Sequence, residues 1–149
     1  MYSRDHAILS LLVAVGGLAV LDLPFSWPVA LVVALVAGVG IDFDHFLIAR
    51  LRTGEWRALR RCLANPRLVF LDQDEIFEPT AIWPAQRLLS HVVLAGVAVP
   101  VLALIDTELG VFVAAVVYVH LLADLLWDVS RQDTYHRRVR ELTGGTDQE

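Results

Sequence analysis

The stretch GVGIDFDHF, Gly38 to Phe46, closes a run of valine, alanine and leucine by placing Asp42, Asp44 and His45 within four positions. Carboxylates and imidazoles are costly in apolar surroundings unless they are paired or hold a metal. Either a helix ends in water here, or the stretch is half of a site. The segments on either side decide between the two.

The chain has 149 residues, a length that predicts one domain, and is 56% hydrophobic. Its mean hydropathy of +0.58 is too high for an ordinary soluble domain of this size. Four stretches carry no Asp, Glu, Arg or Lys: Ala7 to Leu21, Leu23 to Ile41, Leu88 to Ile105 and Leu109 to Ala123. Each is near the roughly 17 to 25 residues that a spanning helix needs. A soluble buried bundle is the alternative, but it requires polar helix faces. Leu11 to Leu21 and Val29 to Ile41 are apolar all round. The expected fold is therefore all-α, an integral membrane four-helix bundle with spans at about 6–21, 27–49, 87–105 and 109–130. A cytoplasmic tail, 131–149, follows it, and the part after Arg140 with its Thr143-Gly-Gly-Thr146 run reads as disordered.

A second apolar run begins at once after Pro24, so a cleaved signal peptide is not expected. The single cysteine, Cys62, forms no internal disulfide and reads as a packed thiol on a helix. All twelve basic residues are arginine, and a net charge of −5 argues against a nucleic-acid partner.

The arginines set the topology. Arg4 precedes the first span; Arg50, Arg52, Arg57, Arg60, Arg61, Arg67 and Arg87 lie between the second and third; Arg131, Arg137, Arg138 and Arg140 follow the fourth. The connections around Asp22 to Pro28 and Asp106 to Glu108 hold acids and no arginine. The positive-inside rule then puts both termini and the central loop in the cytoplasm of a cell-membrane protein. Two antiparallel helical hairpins result, with Asp22-Leu-Pro24 ending the first helix and Trp27-Pro28 starting the second. In the central loop Thr53 is expected to cap a helix from about Gly54 to Leu63, stopped by Asn65-Pro66. Trp56, Leu59 and Leu63 share one face, which suits a cytoplasmic interfacial helix lying on the bilayer over about 54–64; an ordinary helix packed on the bundle is the other reading. Asp72 to Glu78 reads as a solvated acidic turn closed by Pro79.

This topology gathers the polar residues at one depth. His6 starts the first span, Asp42, Asp44 and His45 end the second, and His91 lies one turn inside the third. His120, Asp124 and Asp128 follow at i, i+4, i+8 on one face of the fourth. Only His136 falls elsewhere. Mixed imidazole and carboxylate donors suit a divalent Zn, Mn or Fe, and bundle interiors build such sites from facing helices. On a straight helix Asp42 and His45 share a face while Asp44 points away. All three reach one site only if the helix is broken, which Gly38 and Gly40 would permit.

The set resembles a family, the predicted membrane-bound metal-dependent hydrolases. Their pattern is an early His, Pro-Asp-x-Asp-His, His-Arg-x-x-Thr/Ser-His, and a later His-x-x-x-Asp. Here DHAILS supplies His6, GIDFDHF supplies Asp42, Asp44 and His45, QRLLSHVV supplies Arg87, Ser90 and His91, and YVHLLADLLWD supplies His120 and Asp124. The resemblance implies a membrane metallohydrolase with its site at the cytoplasmic interface, acting on a lipid or other phosphoester. Its metal ligands would be His6, Asp42, Asp44, His45, His91, His120 and Asp124. Asp128 would serve as outer partner or base, and Arg87 would clamp a phosphate or orient the His91 site. Ile41 stands where the family has proline, Gln86 where it has the histidine before Arg87, and Val92 where it has serine. Loss of that histidine removes a strong ligand, so a single metal or a weaker enzyme is expected beside the two-metal form. A non-catalytic membrane protein with a structural metal or polar cluster is the rival. A third, an ion-handling protein, is disfavoured because the outer halves of the spans carry no charge or histidine.

Overall fold

A computed structural model describes residues 1–70, 75–77, 82–134 and 137. The helices are α1 (Ser3–Val20), α2 (Trp27–Gly40), α3 (Asp44–Thr53), α4 (Arg57–Ala64), α5 (Arg67–Phe70), α6 (Pro84–Ile105) and α7 (Thr107–Ser130), with a 3-10 turn, Ile41–Phe43, joining α2 to α3. Among the described residues there is no strand.

Local chemistry sets the ends. Proline stands in the first turn of both α2 and α6, where its missing N–H is no loss. Asp106 alone separates α6 from α7; its Oδ1 accepts the Leu109 N–H at 2.8 Å and caps α7. The spans are longer than expected at several ends. α6 begins at Pro84 rather than 87, because Gln86 Oε1 accepts the Trp83 N–H at 3.2 Å and secures that first turn. The expected cap at Thr53 is corrected: Thr53 is the last residue of α3, and its hydroxyl donates to the Ala49 carbonyl at 2.8 Å. Gly54, at φ +77°, stops α3, and α4 starts at Arg57.

Helix α7 is the hub. It packs against α6, α1 and α2, while α1 packs on α2. Phe112, fully buried, sits with Ala14, Ala30, Ala34 and Val116. The α6–α7 contact depends on Gly110, where a Cβ would lie 2.5 Å from the Ala103 Cα. Small residues that let backbones touch are the usual device of helix association in lipid.

The large apolar side chains point outward. Leu12 is 65% exposed, Val97 63% and Leu104 87%, and among α6 side chains only His91 is buried. A soluble bundle would reverse this arrangement. Four helices, Ser3–Val20, Trp27–Thr53, Pro84–Ile105 and Thr107–Ser130, are long and apolar enough to cross a membrane.

Helix α4 turns Cys62 inward against Leu68 and Ile76, with Phe46, Ala58 and Phe77 around them. Trp56 and Leu63 of the expected apolar face remain exposed. Of the acidic 72–78 turn only residues 75–77 are described, and the expected disorder after Arg140, like His136, lies outside the described residues.

Candidate metal centre

His6, Asp42, Asp44, His45, His91, His120 and Asp124 come together at one end of the bundle. Their five carrier segments are the start of α1, the 3-10 turn, the start of α3, the first half of α6 and the second half of α7. His6, His91, His120 and Asp124 are all buried.

The helix carrying Asp42 tightens instead of breaking. Gly38 and Gly40 were expected to bend it, yet both lie within α2 and Gly40 keeps helical angles, φ −65° and ψ −27°. The local adjustment is the 3-10 turn, where side chains three apart eclipse one another. Asp42 and His45 therefore stay together, with Oδ1 and Nε2 3.8 Å apart. Gly38 contributes space. A Cβ there would run into Ser10 Oγ, which donates to the His6 carbonyl at 2.7 Å.

The imidazoles are oriented from behind. His120 Nδ1 lies 2.7 Å from the Gly38 carbonyl, which can only accept, so this nitrogen carries the proton. On the neutral ring Nε2 is then a lone pair. It lies 3.5 Å from Asp124 Oδ2 and 3.6 Å from Asp42 Oδ1. His91 is arranged alike. Its Nδ1 sits 3.0 Å from Asp44 Oδ2, and its Nε2 lies 3.3 Å from Asp42 Oδ1 and 4.0 Å from Asp124 Oδ2. His6 Nε2 lies 3.1 Å from Asp124 Oδ1, and its ring stacks on His120 at 3.8 Å.

With these rings neutral, acceptors face acceptors across a buried centre. His45 Nε2, His91 Nε2, His120 Nε2, Asp124 Oδ2, Asp44 Oδ1 and His6 Nδ1 are buried without a hydrogen-bond partner. Each such atom costs roughly 1–3 kcal/mol if left so. Cations held by two groups of donors would satisfy His45 Nε2, His91 Nε2, His120 Nε2 and Asp124 Oδ2. Two donors about 2.1 Å from one tetrahedral ion are about 3.4 Å apart, close to the 3.3–3.6 Å separations found here.

Two donor groups meet these terms, His6–Asp42–His120–Asp124 and Asp42–His45–His91, with the donor atoms of each within 4.8 Å of one another. Asp42 belongs to both. Asp44, expected as a ligand, belongs to neither; it stands behind His91, where a carboxylate fixes the tautomer of a ligating ring.

Arg87 closes the rim. Its Nη2 donates to Asp128 Oδ2 at 2.7 Å and its Nε lies 3.6 Å from Asp124 Oδ2. Gln86 is elsewhere. It is exposed, and besides capping α6 its Oε1 accepts from Arg52 Nη1 at 3.0 Å.

Sequence reasoning missed three participants. The Gly38 carbonyl has no side-chain signature, and Ser10 shows only as a polar residue one turn after His6. The Met1 amino group, 2.8 Å from Asp124 Oδ1, is invisible to motif reading. No family model matches the chain, and searches of curated proteins and of solved structures returned no match.

Proposed function

We propose that this protein is a membrane-embedded, metal-dependent hydrolase of phosphoesters, working at the cytoplasmic face of the cell membrane. The observation that carries the reading is the buried centre where Nε2 of His91 and of His120 lies 3.3–3.6 Å from the carboxylates of Asp42 and Asp124, without a hydrogen bond. The arginine asymmetry supports a topology of two antiparallel hairpins with both termini inside. That topology puts the centre at the inner leaflet. The exposed Trp56 just before α4 and Leu63 within it suit a helix resting on the same surface.

His6, Asp42, His120 and Asp124 would hold a Zn, Mn or Fe ion, and His45 and His91 with Asp42 a neighbouring one. Such an ion supplies Lewis-acid polarisation of a phosphoryl oxygen and makes a water more acidic. The chain's own groups do the rest. The Gly38 carbonyl and Asp44 hold His120 and His91 in the tautomer that presents Nε2 to the centre. Arg87 offers a planar guanidinium to phosphate oxygens at the rim. Asp128 keeps it there and is the candidate outer base. The apolar wall of Phe112, Val113 and Val116 keeps water from reaching the centre from below.

The rival, a structural cluster, is favoured by one observation: the same contacts tie α1, the 3-10 turn, α6 and α7 together. Metal content of purified wild type against His91→Ala and Asp124→Ala, followed by turnover on a phosphoester panel, separates the two. Metal in the wild type, its loss in the variants and metal-dependent turnover are expected. A metal-free wild type would sink the hydrolase; bound metal without turnover would leave the structural cluster.

A further inference from the structure

Beside the metal centre the bundle is left open. α6 meets the other half of the chain through α7, the 3-10 turn and α3, while the body of α2 packs on α1 and α7. Between α2 and α6 lies an apolar groove of about 400 Å³, floored by α7. Val36, Ala37, Ile41, Ala95, Val99 and Val117 are among its walls, and it contains no charged side chain. Its inner end reaches the centre by register alone. Ile41 precedes Asp42, Ala95 is one turn from His91, and Val117 is one turn from His120.

The lining runs from Val32 to Ile41 and from Leu94 to Leu102, about 13 Å along each helix at 1.5 Å per residue. The groove is apolar along this whole length and ends at the His/Asp centre, which suits a hydrocarbon chain with its polar head at the inner end. Its depth is close to the roughly 15 Å of one leaflet's hydrocarbon.

We infer that the groove between α2 and α6 holds the aliphatic chain of a phosphate-headed amphiphile, whose head reaches the His/Asp centre directly from the bilayer. The substrate class is a single-chain phosphoester lipid, or one chain of a larger lipid, entering sideways between the two helices. The head group's chemistry rests on the phosphoester reading above. The chain's path rests on the groove alone. Arg87 at the rim complements the anionic head, and the groove offers the tail nothing polar.

The test is photolabelling of the full chain, loaded with Zn or Mn, in phosphatidylcholine vesicles. The probe is hexadecyl phosphate carrying a mid-chain diazirine, with the matching neutral alcohol as control. Adducts from the phosphate probe should concentrate on Val36, Ala37, Ala95 and Val99 and fall at least tenfold under competition by unlabelled hexadecyl phosphate. Ala98→Phe, and Val36→Trp on the facing helix, place bulk at exposed positions of the groove. Both should cut labelling at least tenfold while metal content stays at the wild-type level. Adducts spread over Val92, Val97 and Leu104, equal labelling by the neutral alcohol, or no effect of either variant would overturn the inference. So would crosslinks joining two copies through the groove. Labelling needs no turnover, so an inactive protein that still labels in this pattern would refute the hydrolase and leave the lipid site standing.

Discussion

His120 donates its Nδ1–H to the carbonyl of Gly38, 2.7 Å away on α2, and on the neutral ring this bond leaves Nε2 as a lone pair among carboxylates. Backbone and centre are thereby coupled. Gly38 lacks a side chain because Ser10 of α1 occupies the space, and that close approach also seats His6 against His120.

Gly38→Ala should therefore weaken metal binding without touching a ligand. The added methyl must displace Ser10, an overpacking that costs about 1–3 kcal/mol. A lower thermal midpoint and a reduced metal affinity are expected together. Ser10→Gly in the same background should recover part of both. An unchanged metal affinity in Gly38→Ala would show that the α1–α2 contact does not position the centre.

Asp44 and Asp42 are separated by one residue and should respond differently. Asp42 faces both donor groups, so Asp42→Ala should abolish metal binding at each. Asp44 acts through His91, and losing an outer partner of this kind costs about 10–100-fold in affinity. Asp44→Asn retains an oxygen able to accept from His91 Nδ1 and should be milder than Asp44→Ala. Titration of the apo-protein with Zn by calorimetry ranks the three; equal losses for Asp42→Ala and Asp44→Ala would make Asp44 a direct ligand.

Much of this arrangement could be read from residues alone. Charge-free runs give spans because lipid tolerates nothing else, and the i, i+4 spacing of His120 and Asp124 places both on one face. The gathering of His6, Asp42, His91 and His120 followed from topology. What could not be read was local geometry. The D-x-D-H segment was expected to need a broken helix, whereas a 3-10 turn delivers Asp42 to the centre and Asp44 to the back of His91. Thr53 looked like a helix start because threonine caps helices, but the left-handed Gly54 makes it an end. Backbone carbonyls such as Gly38 O leave no trace in composition.

Cys62 offers a pH readout outside the spans. Burial pushes its thiol above the ordinary thiol range, and nearby Arg61 opposes this only in part. The folded state therefore favours the protonated thiol. Its contribution to stability is fully present below the unfolded thiol pKa and is lost as pH rises through the higher folded value. Maleimide should accordingly react with native Cys62 more slowly than with the unfolded chain at neutral pH, and the gap should persist into mildly alkaline solution. Equal rates at neutral pH would mean that the packing with Leu68 and Ile76 is not maintained.

Orientation can be tested at exposed sites once Cys62 is replaced by alanine. Arg60→Cys in α4 and Ser26→Cys before α2 lie on opposite sides of the proposed bilayer topology. A membrane-impermeant maleimide added to intact cells should label Ser26→Cys only, and inside-out vesicles should reverse the result. Labelling of Arg60→Cys from outside would invert the model and move the metal centre to the outer face.

Gln86 gives the sharpest contrast between motif and geometry. Comparison with the hydrolase pattern would make it the site of a lost ligand, to be restored by Gln86→His. In the structure its side chain is exposed and turned toward Trp83 and Arg52, while the donor atoms of both groups come from other positions. Gln86→His should add no metal per chain. It should cost about 1 kcal/mol by removing the cap at the start of α6. A gain of bound metal, measured on protein stripped and reloaded with Zn, would show instead that the start of α6 can rotate residue 86 into the centre. In that event the full ligand set of the hydrolase pattern would be one substitution away in this chain, and the first turn of α6 would be the element that controls it.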